Sequence, residues 1–537
     1  HNIVAQIQYF LCEHFKIGTA DYYKIKKHII SNCLYGVDIN KTHTETAMMR
    51  LWLALIVSTG KYNLSKSLPN LEYNLLVGDS LSDSINLLDI PDQGHIEDLK
   101  NAFKQEGESK EKKKELQKKI DSILYKKTSH VRFELAFNEI FMKKGGFDII
   151  IGNPPWEVMN DKTSYLDEIE RIRKTDIFTE SSQGKLNYFK LFISKSLTLL
   201  AKKGCLSFVV QNSIIGDKQC SELRELILRK YHLKRIHSFP ERDSVKKRVF
   251  ESAKMSVAII TIGASRNEND KLNLSVWNDK DKIDGSNTIS YCKDLINFSR
   301  YSRIPLFDNE SIHLYKKIKQ INSITFEKIC RIFEGEANAT FHKHLFSDIK
   351  HNKSYKKLYP GASIQRYFIN ESPSQGKVKY INVDDFSKAS PNKADLAHQS
   401  RVAMQGIGSS EYRLVSCVLP PESYIVNSTN FIISDDPNFS NIDICCYLNT
   451  KLLNWMFRMF STNSNINTYE LNELPLIPFT DSEKEVVKII YEKLSHFTIK
   501  NYKSEQFKKI EEKLDSLIYR KFNLSENEIS LIESKFV

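Results

Sequence analysis

The chain has 537 residues, with 78 Lys and Arg against 66 Asp and Glu, a formal net charge of +12, and 41% hydrophobic residues. That length calls for more than one domain and a large core, and the composition excludes a disordered or fibrous protein. No apolar run reaches the ~18 residues of a membrane span, the opening "HNIVAQIQYFLCEHFKIG" lacks the basic segment and cleavage site of a signal peptide, and the positive balance permits a polyanionic partner without proving one.

In chain order, short apolar, β-branched runs alternate with helical patterns over the first half. The expected strands are "CLYGVDI" (33–39), "YNLLVGD" (73–79), "FDIIIGN" (147–153), "CLSFVVQN" (205–212), "LKRIHSF" (233–239) and "MSVAIITIG" (255–263). Helices are expected over 42–58, over 185–204 with Gly204 as the C-terminal stop, and over 218–232. The lysine-rich "KEKKKELQKK" (110–119) reads as a solvated helix face. The alternation argues for a parallel sheet with helices on both faces. The polar stretch from Ala264 reads as loop or linker, 326–478 as a mixed, turn-rich domain, and the Lys/Glu-rich remainder as helical. The nine cysteines form no CxxC pair and no metal spacing, so free thiols in a reducing cytoplasm are expected. "PDQGHIEDLK" echoes a nuclease motif through Asp92, Asp98 and Lys100, but its spacing is too short for the hairpin such a site needs.

In an open parallel sheet, ligands bind past the carboxyl ends of the strands. Three expected strands end in polar signatures: Asp38 after "YGV", Asp79 after "LLVG", and "NPPW", Asn153–Trp156, after a buried "FDIIIG". An Asp at such an end can accept hydrogen bonds from ribose hydroxyls or an exocyclic amine, although capping the next helix is its commoner use. The prolines fix φ and remove N–H donors, so the loop presents rigid acceptors. The Asn153 side-chain oxygen and the Pro154 carbonyl can hold the two hydrogens of one aromatic amine and direct its lone pair at an electrophile. Trp156 offers a face for a base taken out of its stack.

This ordered set resembles the N6-adenine methyltransferases that use S-adenosylmethionine. It looks most like the large methylases of fused type II (type IIG-like) restriction–modification systems and related phage-defence methylases. The resemblance implies a Rossmann-like methyltransferase core over 1–263, an extension over 264–325, a mixed α+β target-recognition domain over 326–478 and a helical tail over 479–537. It implies that Asp38 binds the cofactor ribose and Asp79 the cofactor adenine, and that Ile39, Ser80 and Asn153 also belong to the cofactor site. Asn153, Pro154, Pro155 and Trp156 would be catalytic, and Trp156 and Phe250 would stack on the target base. No metal is implied for the transfer; Mg2+ would enter only with a nuclease domain upstream. The implied partners are double-stranded DNA and a nuclease or other defence-system subunit, with no membrane, in a bacterial cytoplasm and nucleoid-associated when DNA-bound.

The sequence departs from that pattern in one place. The family's Gly-rich cofactor turn should precede Tyr35, and none stands between His1 and Leu34. With no initiator Met, the chain is expected to be truncated at its N-terminus, with another segment or chain supplying that turn. "GASIQRYFIN", "SRVAMQGIG" and "RLVSCVLPPESYIVNSTNFI" resemble landmarks of the recognition domain, and Arg366, Arg401 and Arg413 are candidate DNA contacts, with surface or fold-stabilising roles an equal reading. An RNA or protein-glutamine methyltransferase shares the Asn-Pro-Pro-aromatic motif. A catalytically incomplete DNA-binding specificity subunit is the other alternative, supported by the missing turn and opposed by the intact "NPPW".

Overall fold

The computed structural model describes residues 22–57, 68–81, 93–104, 110–125, 131–159, 166–241, 243–267, 269–277, 279–281, 283–290, 292–408, 412–461 and 465–536. The segment expected to lack the Gly-rich turn lies largely outside them, as does Asp92. The chain forms two units: His1–Gln211 with Glu225–Arg235 and Ile259–Asp270, and Asn212–Arg224 with Ile236–Ala258 and Lys271–Val537.

In the first unit, β1 (Gly36–Asp38) and β2 (Leu75–Val77) pair in parallel, with Asp38 opposite Val77. The expected helix over 42–58 is present as Lys41–Val57. It packs through Leu55 on Ile29, Ile30 and Leu71. The lysine-rich run lies on the helix Lys110–Tyr125, where Lys112, Lys114, Lys118 and Lys119 are exposed and Ile120 and Leu124 enter the core. That core also holds Tyr73, Leu76, Phe137 and Leu199, with Tyr35, Val37, Phe147 and Ile150 against it. The Tyr35 and Phe147 rings meet at 6.0 Å, so the residue before β1 packs on the start of β3 (Phe147–Gly152).

β3 runs parallel to β4 (Leu200–Gln211), and the neighbours continue with the parts of β6 (Val257–Gly263) and β5 (His232–Phe239) that belong to this unit. Two expectations need correction. The run "FDIIIG" is not a buried strand. β3 is paired only with β4 among the described residues, and Ile149 and Ile151 are 65% and 50% exposed. The helix expected to stop at Gly204 ends at Thr198, and "LAKKG" belongs to β4. Register slips there: Phe147 pairs with Leu200, but Ile149 pairs with Cys205. Gly204 is a glycine because of that crossing, since a Cβ on it would lie 2.5 Å from the Phe147 carbonyl oxygen. Gly146 is constrained twice, by φ of +151° and by the Leu199 carbonyl oxygen 2.5 Å from where a Cβ would sit. Gly146→Ala is therefore expected to cost about 2 kcal/mol or more, read as a lower urea midpoint.

In the second unit, the stretch expected as linker contains a hairpin. β7 (Lys271–Trp277) pairs antiparallel with β8 (Ile283–Ser290), and helices Cys292–Phe298 and Asn309–Gln320 follow. Leu272 and Leu274 point inward at alternating positions, a half-buried strand pattern hidden in a polar context. Downstream, Cys330–Glu334, Thr429–Ser434, Arg401–Gln405 and Ser416–Leu419 make one four-stranded sheet. Phe346–Ser347, Lys379–Asn382, Tyr355–Tyr359 and Tyr424–Ile425 make another. Helices Asn441–Asn449 and Lys451–Arg458 carry Trp455 and Leu448 into a core shared with Val487, Leu514 and Ile518 of the expected C-terminal helices. No described helix is long and apolar enough to cross a membrane.

Candidate active site

The parallel register of β1 and β2 brings Asp38 and Asp79 to the same strand ends, joined by the Gly78 N–H donating to the Asp38 carbonyl at 2.9 Å. The Asp38 carboxylate is 45% exposed. Its Oδ1 accepts the Asn40 N–H at 2.7 Å and has His43 Nδ1 at 3.5 Å, while Oδ2 has no hydrogen-bond partner among the described residues. Ile39 beside it is 74% exposed, an apolar side chain left in the open at a strand end. Asp79 and Ser80 are partly buried. The Asp79 Oδ1 accepts the Leu81 N–H at 2.9 Å and its carbonyl accepts the Val131 N–H at 2.9 Å, so this Asp also shapes its own turn.

At the end of β3 the chain leaves the sheet as Asn153–Trp156. Pro154 is buried and anchors the turn, whereas Asn153 and Pro155 are exposed. The Asn153 side-chain amide makes no hydrogen bond among the described residues. Trp156 is partly buried, and its indole N–H donates to the Val209 carbonyl of β4 at 3.3 Å. Gln211, at the end of β4, returns a bond from Nε2 to the Trp156 carbonyl at 3.1 Å. These two bonds hold the loop and the ring against the strand. Sequence reasoning missed Gln211. The signal available was a polar side chain ending the alternating run "SFVVQ".

The family profile described as Eco57I restriction-modification methylase matches residues 32–245. The match takes in Asp38, Asp79, Asn153–Trp156 and Gln211. RM.MjaORFECS2P of Methanocaldococcus jannaschii, named as a type II restriction enzyme and methyltransferase, is 25% identical over 88% of this chain and 46% of its own length. The type II restriction enzyme and methyltransferase RM.Eco57I of Escherichia coli is 24% identical over 40% of the chain and 18% of its own length. The chain thus spans less than half of these curated relatives. Among solved structures, the type IIL restriction-modification enzyme MmeI in complex with DNA shares the fold with a TM-score of 0.53 and 12% identity, over 99% of this chain and 76% of that one.

The remaining expected site residues lie beyond the matched residues, in the second unit. Phe250 sits partly buried in the loop between β5 and β6. Arg401 is corrected as a DNA contact: it is fully buried. Its Nε donates to Glu336 Oε1 at 2.9 Å, Nη1 to the Gln399 carbonyl at 3.2 Å and Nη2 to the Ser423 carbonyl at 2.6 Å. Arg366 is corrected likewise. Its side chain is 12% exposed, ion-paired with Glu511, bonded to the Asn449 carbonyl at 3.2 Å and stacked 3.6 Å over Tyr412. Both are fold-stabilising arginines. Arg413 is partly buried next to the Gly408 carbonyl.

Proposed function

We propose that this chain is a site-specific DNA adenine-N6 methyltransferase that takes its methyl group from S-adenosylmethionine, within a restriction–modification or phage-defence system of a bacterial cytoplasm. The observation that carries the reading is the Asn-Pro-Pro-Trp turn at the end of β3, with Asn153 exposed and uncommitted and Trp156 fastened to β4. The reading takes β1 to β4 as the parallel part of a Rossmann-like sheet, 326–478 as the target-recognition domain and 479–537 as its helical tail. Double-stranded DNA is the substrate, and a nuclease or other defence subunit is the further partner.

The residues present fit such a methyl donor. Asp38 offers an exposed carboxylate oxygen to ribose hydroxyls, the exposed Ile39 offers an apolar surface to the adenine ring, and Asp79 with Ser80 offers acceptors to its amine. When bound, the cofactor supplies an electrophilic methyl on a sulfonium. The chain's own work is positional. The Asn153 side-chain oxygen and the Pro154 carbonyl hold the target amine by its two hydrogens, Trp156 stacks on the extruded ring, and the nitrogen lone pair is left directed at the methyl. The methyl would pass to the amine nitrogen as the S–C bond breaks, leaving the thioether, and the proton released from the methylated amine would go to solvent.

Asp38→Ala is expected to weaken cofactor binding by about 10- to 100-fold, the worth of hydrogen bonds to a charged acceptor. Titration calorimetry with S-adenosylmethionine reads this directly. Unchanged affinity in a folded variant would remove Asp38 from the cofactor site.

A further inference from the structure

The turn at 338–345 holds a phenylalanine outside the core. Asn338 Oδ1 accepts the N–H groups of Thr340 and Phe341 at 2.9 and 3.0 Å. The Asn338 N–H donates to His342 Nδ1 at 3.1 Å, and Asn427 Oδ1 accepts the Ala339 N–H at 3.1 Å. The His342 ring then meets the buried Phe386 edge-on at 5.2 Å. Burial and the neighbouring Lys393 and His344 push the His342 pKa down, consistent with a neutral ring accepting that bond. Leu345 and Phe346 join the core around Phe386, yet Phe341 stays 75% exposed. No other phenylalanine and no tryptophan among the described residues counts as exposed.

The flanking charge is one-sided. Residues 338–357 contain five lysines and one acid, Asp348. Asp348 is matched by Lys379 at 3.6 Å, Lys356 pairs with Glu422 at 3.1 Å and Lys357 with Glu371 at 2.7 Å. Lys343, Lys350 and Lys353 are exposed and form no ion pair among the described residues. Ile349, between them in sequence, is 62% exposed. A lone exposed apolar residue is unremarkable on a protein surface. An aromatic fixed by a bonded turn and flanked by three uncompensated lysines has the chemistry of a duplex contact, in which lysines hold phosphates and an apolar side chain meets sugars, base edges or an opened base step.

We infer that the segment 338–353 is a double-stranded DNA contact, with Lys343, Lys350 and Lys353 on the phosphates and Phe341 against the groove. The inference rests on the DNA methyltransferase reading and names the surface that reading leaves unassigned. Its test is fluorescence anisotropy of a labelled mixed-sequence duplex bound to the full chain across a KCl series. Wild type is compared with the triple variant Lys343→Gln, Lys350→Gln, Lys353→Gln and with Phe341→Ala. Each variant's thermal unfolding is checked against wild type. The triple variant is expected to lower the slope of log affinity against log salt by roughly 2 to 3, since each phosphate contact contributes about 0.9. Phe341→Ala is expected to weaken binding about tenfold with the slope kept. If wild type binds duplex and folded variants bind identically, this surface is wrong and the enzymatic reading stands. If wild type binds no duplex, both fall. A loss seen on an RNA hairpin and not on duplex DNA would also overturn it.

Discussion

Asn153→Ala is expected to lower methyl transfer to DNA by about 100- to 1000-fold, the scale of removing one preorganised polar group aimed at reacting atoms. The residue is exposed, its side chain has no hydrogen-bonding role among the described residues, and the turn is held by Pro154 and by the bonds linking Trp156 to Val209 and Gln211. Removing the amide should therefore leave the fold and DNA affinity close to wild type. Single-turnover transfer of radiolabelled methyl, with binding measured in parallel, separates these quantities. A fall in binding matching the fall in rate would make Asn153 a binding group. An unchanged rate would remove it from the chemistry.

Arg401→Ala should act on stability, costing about 3–5 kcal/mol, because it leaves the Glu336 carboxylate buried without its counter-charge. Both side chains are 0% exposed. Burial pushes the Glu336 carboxyl up, and the Arg401 guanidinium together with the Ile425 N–H at 3.0 Å draws it back. The pair joins the strand Arg401–Gln405 to the segment before Asn338, and the guanidinium also lies 5.3 Å over the Phe431 ring. Replacing both charges, as Arg401→Met with Glu336→Leu, should recover most of the loss, since a well-packed apolar pair often equals a buried ion pair. Urea unfolding of the two variants measures this. A stable Arg401→Ala protein with weakened DNA binding would restore Arg401 to a DNA interface.

The parts of the site that were legible are those carried by a few adjacent residues. Asp38, Asp79 and Asn153–Trp156 could be placed at strand ends because each follows a short β-branched run and because Pro and Asp leave local signatures. What was not legible depends on partners far away in sequence. β3 reads as buried from its isoleucines, but burial is set by what packs beside it, and Ile149 and Ile151 are exposed. The end of the helix before β4 was misplaced because "LLAKKG" suits a helix locally, while its true role is fixed by Phe147, more than fifty residues upstream. Arg401 resembles a phosphate ligand until Glu336 is known to face it from 65 residues away. Gln211 bonds to Trp156, 55 residues earlier, and the only local mark on it is its place at the end of an alternating run.

The measurement that bears most directly on the central claim is N6-methyladenine in DNA. The whole gene encoding this chain would be expressed in a bacterial host devoid of adenine methylation, beside its Asn153→Ala form, and the genomic DNA sequenced as single molecules. The account predicts N6-methyladenine at one recurring sequence with the wild type and none with Asn153→Ala. An unmethylated genome from folded protein that binds S-adenosylmethionine and duplex DNA, or methyl groups found on cytosine, RNA or protein instead, would contradict it.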